Sequence, residues 1–277
     1  MNTTLSFEIQ ESPVLYNIDG SILTSETHKV LSRSDNNRVI SVMKNTYHPL
    51  LNEHFMESTE KMREISGFEF AGYNEISGGQ IVVSNLKNNL GDFNIGGHPA
   101  DDYLVLGSSF DGRYPFFIGT IGSMLWCKNQ WSKISRLEKV RHTKSSPRRI
   151  DELIRSLEIY FLNRKLMLKD FNRMLEYEVD EQTKRLAADY IMGISKEDRL
   201  ENKISTRKLN QLETFELAMG KNMEHFGNNL FGVFQSATWY SSHDLTQKES
   251  IFGNLFGTPA EINDRAYRFA SSRLEMA

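Results

Sequence analysis

Hydrophobic and polar residues alternate in short runs through the first half of the chain, as they do in β-strands with one buried face. One such run, at residues 38–44, predicts a strand. Other runs flank two glycine-containing turns, at residues 77–79 and 111–112, and each arrangement predicts a β-hairpin. Helical spacing predicts a helix over residues 52–66, and the Asn- and Gly-rich residues 87–99 predict a long flexible loop between the hairpins.

A helical period replaces the alternation in the second half of the chain. Pro147 stands where a first helical turn accepts proline, and apolar residues within 150–161 lie on one helical face, which predicts one long amphipathic helix. Residues 258–261 have the pattern of a capping box and predict the start of the last helix. Further helices are expected at residues 181–192, 195–202 and 206–226.

Grouped strands followed by grouped helices are typical of an α+β fold. We therefore expect an antiparallel sheet of hairpins in the N-terminal half, with helices on one face, and a mainly helical C-terminal half. The change of period divides the chain into a β-rich α+β core at residues 1–146 and a helical region at residues 147–277. The sequence leaves open whether the helical region packs on the same core or forms a domain of its own.

The composition indicates a cytoplasmic protein. A chain of 277 residues can bury a sizeable core without cross-links. Its single cysteine, Cys127, excludes an intramolecular disulfide and favours a reducing compartment. No apolar stretch reaches the roughly 20 residues that span a bilayer, and residues 1–10 lack the basic and apolar regions of a secretory signal. We expect no membrane partner.

The clearest functional signal is a run of basic residues at positions 128–149, here called the basic segment. The whole chain has a net charge of −3, whereas the basic segment has eight basic side chains and one carboxylate, Glu138. Each Lys or Arg that neutralises a phosphate releases condensed counterions, so a cluster of them binds nucleic acid in a salt-sensitive manner. The candidate phosphate contacts in the segment are Lys128, Lys133, Arg136, Lys139, Arg141, Lys144, Arg148 and Arg149.

Aromatic residues before and within the basic segment would supply faces on which unpaired bases stack. They are Tyr114, Phe116, Phe117, Trp126 and Trp131. We add Trp131 and Arg113, a further cation in the preceding hairpin turn, to the candidate contacts with single-stranded nucleic acid. An alternative interpretation is that the basic segment is a solvated helix face, and that Phe116, Phe117 and Trp126 are core residues.

No pattern of catalytic or metal-binding residues stands out. The seven histidines are scattered, without the spacing of a zinc site, and His98 near Asp101 and Asp102 is more simply part of a polar loop that enters a strand. The glycine-rich stretches lack the ending of a phosphate-binding loop, and residues 107–112 do not match a nucleophile elbow. Cys127 is more simply a core residue than a nucleophile. We expect no catalytic residue, metal or cofactor, and so a protein that is not an enzyme.

Several short motifs, taken in order, resemble a family of uncharacterised phage and plasmid proteins that contain the domain of unknown function 932. That family shows a strand motif, a hairpin motif, a Val-Cys-x-Asn motif and an Arg-His-Thr motif. Phe110 replaces the histidine that is usual in the family's hairpin, which argues against a catalytic histidine there. The similar stretches of this chain are residues 39–51, 107–112, 126–129, 141–143, 255–257 and 263–266, so the resemblance covers roughly residues 38–271.

The order of helix, antiparallel strands and helix in that family is similar to the core of phage single-strand annealing proteins. In those proteins a basic groove beside the sheet holds the backbone of one strand, and subunits assemble into rings or filaments. The resemblance therefore implies a phage-type homo-oligomer in the cytoplasm of a host cell that binds single-stranded DNA and anneals strands during recombination. The alternative is a non-enzymatic phage or plasmid interaction protein whose basic segment binds an acidic protein partner.

Overall fold

The computed structural model describes residues 4–89, 91, 94–124, 130–133, 139–156, 158–245 and 257–276. In this part of the chain, antiparallel strands dominate the N-terminal half and helices the C-terminal half, which confirms the predicted α+β fold. The strands are β1 (Ile9–Ile18), β2 (Ser21–Arg33), β3 (Val39–Lys44), β4 (Glu69–Ile76), β5 (Ile81–Lys87), β6 (Asn94–Ile95), β7 (His98–Ser109), β8 (Phe116–Met124), β9 (Gln130–Lys133) and β10 (Lys139–Val140). The helices are α1 (Asn52–Ser66), α2 (Ser146–Arg155), α3 (Glu158–Glu176), α4 (Glu181–Met192), α5 (Lys196–Leu200), α6 (Thr206–Phe226), α7 (Leu230–Trp239), which continues into a π-helical turn (Tyr240–Asp244), and α8 (Thr258–Met276).

The chain forms two compact units whose segments alternate along the sequence. The first unit consists of Met1–Leu90, Tyr103–Thr120 and Ile134–Tyr160. The second unit consists of Gly91–Asp102, Ile121–Lys133 and Phe161–Ala277. The sequence-based division between residues 146 and 147 stays a prediction.

Both predicted hairpins are present in the first unit. β4 and β5 pair from Glu69–Lys87 to Ile76–Ile81, and Ser77, Gly78 and Gly79 make the turn between them with positive φ. β7 pairs with β5 on one side and with β8 on the other, and the strand order is β10-β8-β7-β5-β4. A separate sheet has the order β1-β2-β3, and its third strand confirms the strand predicted at residues 38–44.

Helix α1 also matches its predicted bounds. Gly67 ends it in the left-handed conformation with φ +69° and donates its N–H to the carbonyl of Arg63, as expected of a glycine after a helix C-terminus. The helix buries Phe55 and Met62. Phe55 meets Phe116 of β8 edge to face, with ring centroids 6.3 Å apart, so α1 and β8 share one core.

The second unit has a helical core. Phe171 of α3 packs against Phe231 and Phe234 of α7, with ring centroids 5.6 Å and 5.0 Å away. Helix α4 begins where the Asp180 side chain accepts the N–H of Thr183 at 2.7 Å, as an N-cap residue does. The bounds of α4 and α6 equal those predicted, and α8 begins at the predicted Thr258.

Two sequence predictions about local structure are wrong. The long helix predicted from Pro147 is two helices, because α2 ends at Arg155 and is capped by Ser156, whose φ of −85° and ψ of 6° depart from helical values. The loop predicted at residues 87–99 contains β6, which pairs with the first residues of β7 across a Gly96-Gly97 turn. Residue 157 lies outside the described residues, as do the side chains of residues 158–164.

No described helix is both long enough and apolar enough to cross a membrane.

Candidate nucleic-acid interface

A cavity of about 730 Å³ in the first unit brings part of the basic segment together with residues distant in sequence. We call it the basic cavity. It lies against β10, the turn before α2, the first turns of α2, the end of β3 and the β7–β8 turn. Its lining residues are Met43, Tyr47, Gly112, Tyr114, Pro115, Lys139, Arg141, His142 and Arg149.

Three of the predicted phosphate contacts line the basic cavity. Lys139 lies in β10 opposite Phe117 of β8, Arg141 follows β10, and Arg149 lies in the first turns of α2. The side chains of Arg141 and Arg149 are exposed and form no ion pair with any residue that the structure describes. The lining residues include these three cations and no carboxylate, and the neighbouring Asp111 is paired with Arg113.

The turn that carries Arg141 is fixed by Ser146, the first residue of α2. The buried Ser146 hydroxyl accepts the N–H of Thr143 at 2.6 Å and lies 2.9 Å from the carbonyl oxygen of Arg141. Pro147 follows at the start of the helix, where it costs no backbone hydrogen bond. The sequence Arg141-His142-Thr143 is therefore held rigidly between β10 and α2.

His142 anchors the inner side of this turn. Its Nδ1 lies 2.5 Å from the hydroxyl of Tyr47, and its Nε2 lies 3.1 Å from the hydroxyl of Ser108. Burial lowers the pKa of His142 to about 4, so the ring is uncharged at neutral pH. His142 therefore positions the turn but adds no charge to the basic cavity.

The hydrogen-bond directions of this group follow from proton counting. The Tyr47 hydroxyl has one proton and donates it to the carbonyl of Ser109 at 2.9 Å, so it accepts from Nδ1–H of His142. The Nε2 atom then accepts from Ser108, and burial raises the pKa of Tyr47, which keeps the phenol protonated. Because Ser108 is fully buried, its hydroxyl supports the fold and does not face the cavity as a nucleophile.

Three other predicted contacts are described by the structure, and none of them lines the basic cavity. Lys144 is exposed, and Arg148 forms an exposed ion pair with Glu152 at 3.4 Å. Arg113 pairs with Asp111 at 2.5 Å and donates to the side chain of Gln80 at 2.8 Å, so its charge is largely neutralised. Lys128 and Arg136 lie outside the described residues, and so do the side chains of Lys133 and Trp131 in β9.

The prediction that aromatic residues stack on unpaired bases is wrong for Phe116 and Phe117. Phe116 and Phe117 are fully buried, one on each face of β8, so both are core residues as the alternative interpretation held. Tyr114 remains half-buried at the cavity wall, where its ring is accessible. Trp126 lies outside the described residues.

Sequence reasoning missed Met43, Tyr47 and Gly112 as parts of this site. Gly112 has φ +75°, and a Cβ atom at this position would lie 3.0 Å from the Met43 methyl group, so glycine keeps the cavity floor open. One sequence signal could have indicated that Tyr47 belongs to the site. The stretch around Tyr47 and the Arg-His-Thr motif both contribute to the resemblance to one family. No group of three or more His, Cys, Asp or Glu side chains that could hold a metal ion occurs in the described part of the chain.

The family model described as "Domain of unknown function (DUF932)" matches residues 39–262. The chain belongs to the DUF932 family. No curated protein and no solved structure matches it. Every residue that lines the basic cavity lies within the DUF932 match, whereas β1 and β2 lie before it.

Proposed function

We propose that this DUF932 protein binds single-stranded DNA at the basic cavity and promotes the annealing of complementary strands in recombination, without covalent catalysis. The observation that carries the proposal is the convergence of Lys139, Arg141 and Arg149 on one cavity. A cluster of cations without a carboxylate among the lining residues favours a polyanion, and arginine suits phosphate because its planar guanidinium donates two parallel hydrogen bonds.

An aromatic face beside the cations favours a single strand over a duplex as the proposed ligand. Single-strand sites combine a positively charged groove with aromatic faces on which unpaired bases stack, and Tyr114 supplies such a face beside the cations. The rigid turn held by His142 and Ser146 fixes the backbone that carries Arg141, so little backbone entropy is lost on binding. The annealing step is proposed from the motif resemblance expected in the sequence, and the action in the cytoplasm from the single cysteine and the lack of a secretory signal pattern in residues 1–10.

The first test is a fluorescence-anisotropy titration of labelled oligonucleotides at two salt concentrations. The variant has Lys139, Arg141 and Arg149 changed to Ala, and we expect it to bind single-stranded DNA at least about tenfold more weakly, since each lost charged contact contributes roughly 1 kcal/mol or more. The matched control has Arg185, Arg207 and Lys221 changed to Ala, which removes the same charge from exposed positions of the helical unit.

The outcomes separate the proposal from its alternatives. Single-stranded RNA and duplex DNA of equal length serve as competitors, and preference for either one contradicts the proposed ligand. An absence of binding at low salt would rule out the nucleic-acid function altogether. Annealing is measured as the rate at which two complementary labelled strands pair, and an unchanged rate in the presence of the wild-type protein would restrict the proposal to binding.

A further inference from the structure

The N-terminal hairpin ends in a tip that has no packing partner in the described part of the chain. We define the hairpin tip as residues 15–24, where β1 and β2 are joined by Asp19 and Gly20. Both turn residues have positive φ, 52° and 87°, as in a tight type I′ turn. β3 pairs only with residues 28–32 of β2, so the tip is a two-stranded ribbon.

The hairpin tip exposes large apolar side chains to solvent. Opposed residues on paired strands share a face, so the pairs Tyr16–Leu23 and Ile18–Ser21 place Tyr16, Ile18 and Leu23 together. An isolated two-stranded hairpin is marginally stable in water, and an exposed cluster of this kind marks an interaction surface. The exposed apolar residues of the tip are Leu15, Tyr16, Ile18, Ile22 and Leu23, between 43% and 72% exposed.

The hairpin tip is also acidic. Asp19 in the turn and Glu26 just beyond it are carboxylates, and no Lys or Arg occurs between residues 12 and 27. Two tips that packed against each other would bring these carboxylates of both chains together, which disfavours symmetric pairing.

The hairpin tip protrudes, whereas the second unit contains a concave apolar surface. A cavity of about 660 Å³, here called the apolar cavity, is lined by residues of α4, α5 and α8. Ile194 and Phe269 are buried at its base. Leu186, Tyr190 and Leu200 form accessible walls, and Leu200 is 86% exposed.

The rim of the apolar cavity is basic. Its charged residues are Asp189, Lys196, Arg199 and Arg273. Arg199 is bound to Asp189 at 2.5 Å, so these two charges largely cancel. Of the other two, Arg273 interacts electrostatically with Asp180, so Lys196 supplies the clearest charge complementary to the acidic hairpin tip.

We propose that the hairpin tip of one copy of this chain docks in the apolar cavity of a second copy. The contact buries Tyr16, Ile18 and Leu23 against the walls formed by Leu186, Tyr190 and Leu200, and brings Asp19 towards Lys196. Because the two surfaces differ, the contact is head-to-tail, and its repetition produces a ring or a filament. These two surfaces would form the homo-oligomer expected from the sequence, and their contact does not require nucleic acid.

Self-association of the full chain without nucleic acid tests this contact. We expect sedimentation velocity to show that the wild-type protein assembles as its concentration rises. Two variants should weaken assembly: the tip variant Tyr16→Ser/Leu23→Ser and the cavity variant Tyr190→Ser/Leu200→Ser. Each should stay monomeric up to a concentration at least about tenfold higher than that at which the wild type begins to assemble. The control Ile65→Ser/Leu217→Ser removes exposed apolar side chains elsewhere and should assemble as the wild type does.

Mixing the two variants identifies the geometry of the contact. A tip variant retains its cavity and a cavity variant retains its tip, so the mixture should form dimers that cannot extend further. The charge-reversal Lys196→Glu should weaken assembly, whereas Lys221→Glu, at an exposed position outside the cavity, should not.

Three results would overturn the proposal. The first is a wild-type protein that stays monomeric over the whole concentration range. The second is a cavity variant that assembles like the wild type while the tip variant does not, because that result means that tips pair with each other. The third is a mixture of the two variants that stays monomeric. Failure of DNA binding in the anisotropy assay leaves this measurement unaffected, so the two proposals are tested separately.

Discussion

Two arginines of the first unit carry the same charge in opposite surroundings. Arg33 is 7% exposed, pairs with Asp35 at 2.7 Å and with Glu75, and lies 3.8 Å from the centroid of the Phe7 ring. Arg141 is exposed at the basic cavity and forms no ion pair with a described residue. A buried, neutralised guanidinium stabilises the fold, whereas an exposed one without a partner is available to a ligand.

This difference shows why a count of basic residues is a weak guide to a binding surface. The sequence groups Arg113 and Arg148 with Arg141, because all three are basic residues close together along the chain. In the structure the first two have carboxylate partners, Asp111 and Glu152. Measurements of stability and of DNA binding on the same variants distinguish arginines that stabilise the fold from arginines that are available to a ligand.

The largest expected effect on stability is that of Arg33→Met. The substitution removes the cation shared by Asp35 and Glu75, and because both carboxylates are partly exposed it should lower the free energy of unfolding by about 2–4 kcal/mol. Urea unfolding followed by circular dichroism measures this loss. The folded fraction should bind DNA as the wild type does, and a stability loss under about 1 kcal/mol would remove the distinction drawn between Arg33 and Arg141.

His142 should make the stability of the protein depend on pH. Its pKa is about 4 in the folded state and near 6.5 in the unfolded chain. The unfolded chain therefore takes up a proton first as the pH falls, and the free energy of unfolding should drop by up to about 3 kcal/mol between pH 6.5 and pH 4. Above about pH 7.5 the ring is almost entirely neutral in both states, and this contribution is constant.

The variant His142→Gln isolates this dependence. Glutamine keeps a donor and an acceptor but does not titrate, so the decrease between pH 6.5 and pH 4 should become shallower than in the wild type. Urea unfolding at a series of pH values measures both curves. Parallel curves would show that His142 is not buried as a neutral ring.

A smaller loss of stability is expected for Gly112→Ala at the floor of the basic cavity. The left-handed backbone at φ +75° is unfavourable for alanine, and the added Cβ atom would approach Met43 to 3.0 Å, so we expect a loss of about 1–2 kcal/mol. Gly20→Ala is the control, because Gly20 has φ +87° and nothing within 4 Å of the added atom. An equal loss in both variants would mean that the Met43 contact contributes nothing.

The smallest effect on stability is expected for Arg141→Ala. An exposed side chain without an ion pair in the described part of the chain should change the free energy of unfolding by no more than about 0.5 kcal/mol. The same variant should bind single-stranded DNA more weakly. If instead it lost stability as Arg33→Met does, Arg141 would belong to the structural class of arginines.

Elements with strong local signals were predictable from the sequence. The bounds of α4 and α6 follow from helical spacing and from end signals such as Asp180, which caps α4. The hairpin across residues 77–79 follows from its glycines, which accept positive φ. The break between α2 and α3 was not predictable from periodicity, because the apolar period continues past Ser156, the residue at which α2 ends.

The site was predictable only in part, because most of its geometry depends on contacts between distant residues. The basic segment identified Lys139, Arg141 and Arg149, but nothing local joins His142 to Tyr47, 95 residues earlier. Nor does sequence alone separate buried from accessible aromatics. Phe116 and Phe117 are adjacent and point to opposite faces, and both are buried because β8 is covered on both sides.

The salt dependence of DNA binding tests the central claim most directly. For single strands the slope of log affinity against log salt is about −0.7 for each neutralised phosphate. If Lys139, Arg141 and Arg149 each neutralise one phosphate, the triple alanine variant should have a slope shallower by about 2 than that of the wild type, and the Arg185, Arg207 and Lys221 control should keep the wild-type slope. Equal slopes for the triple variant and the wild type would contradict the account.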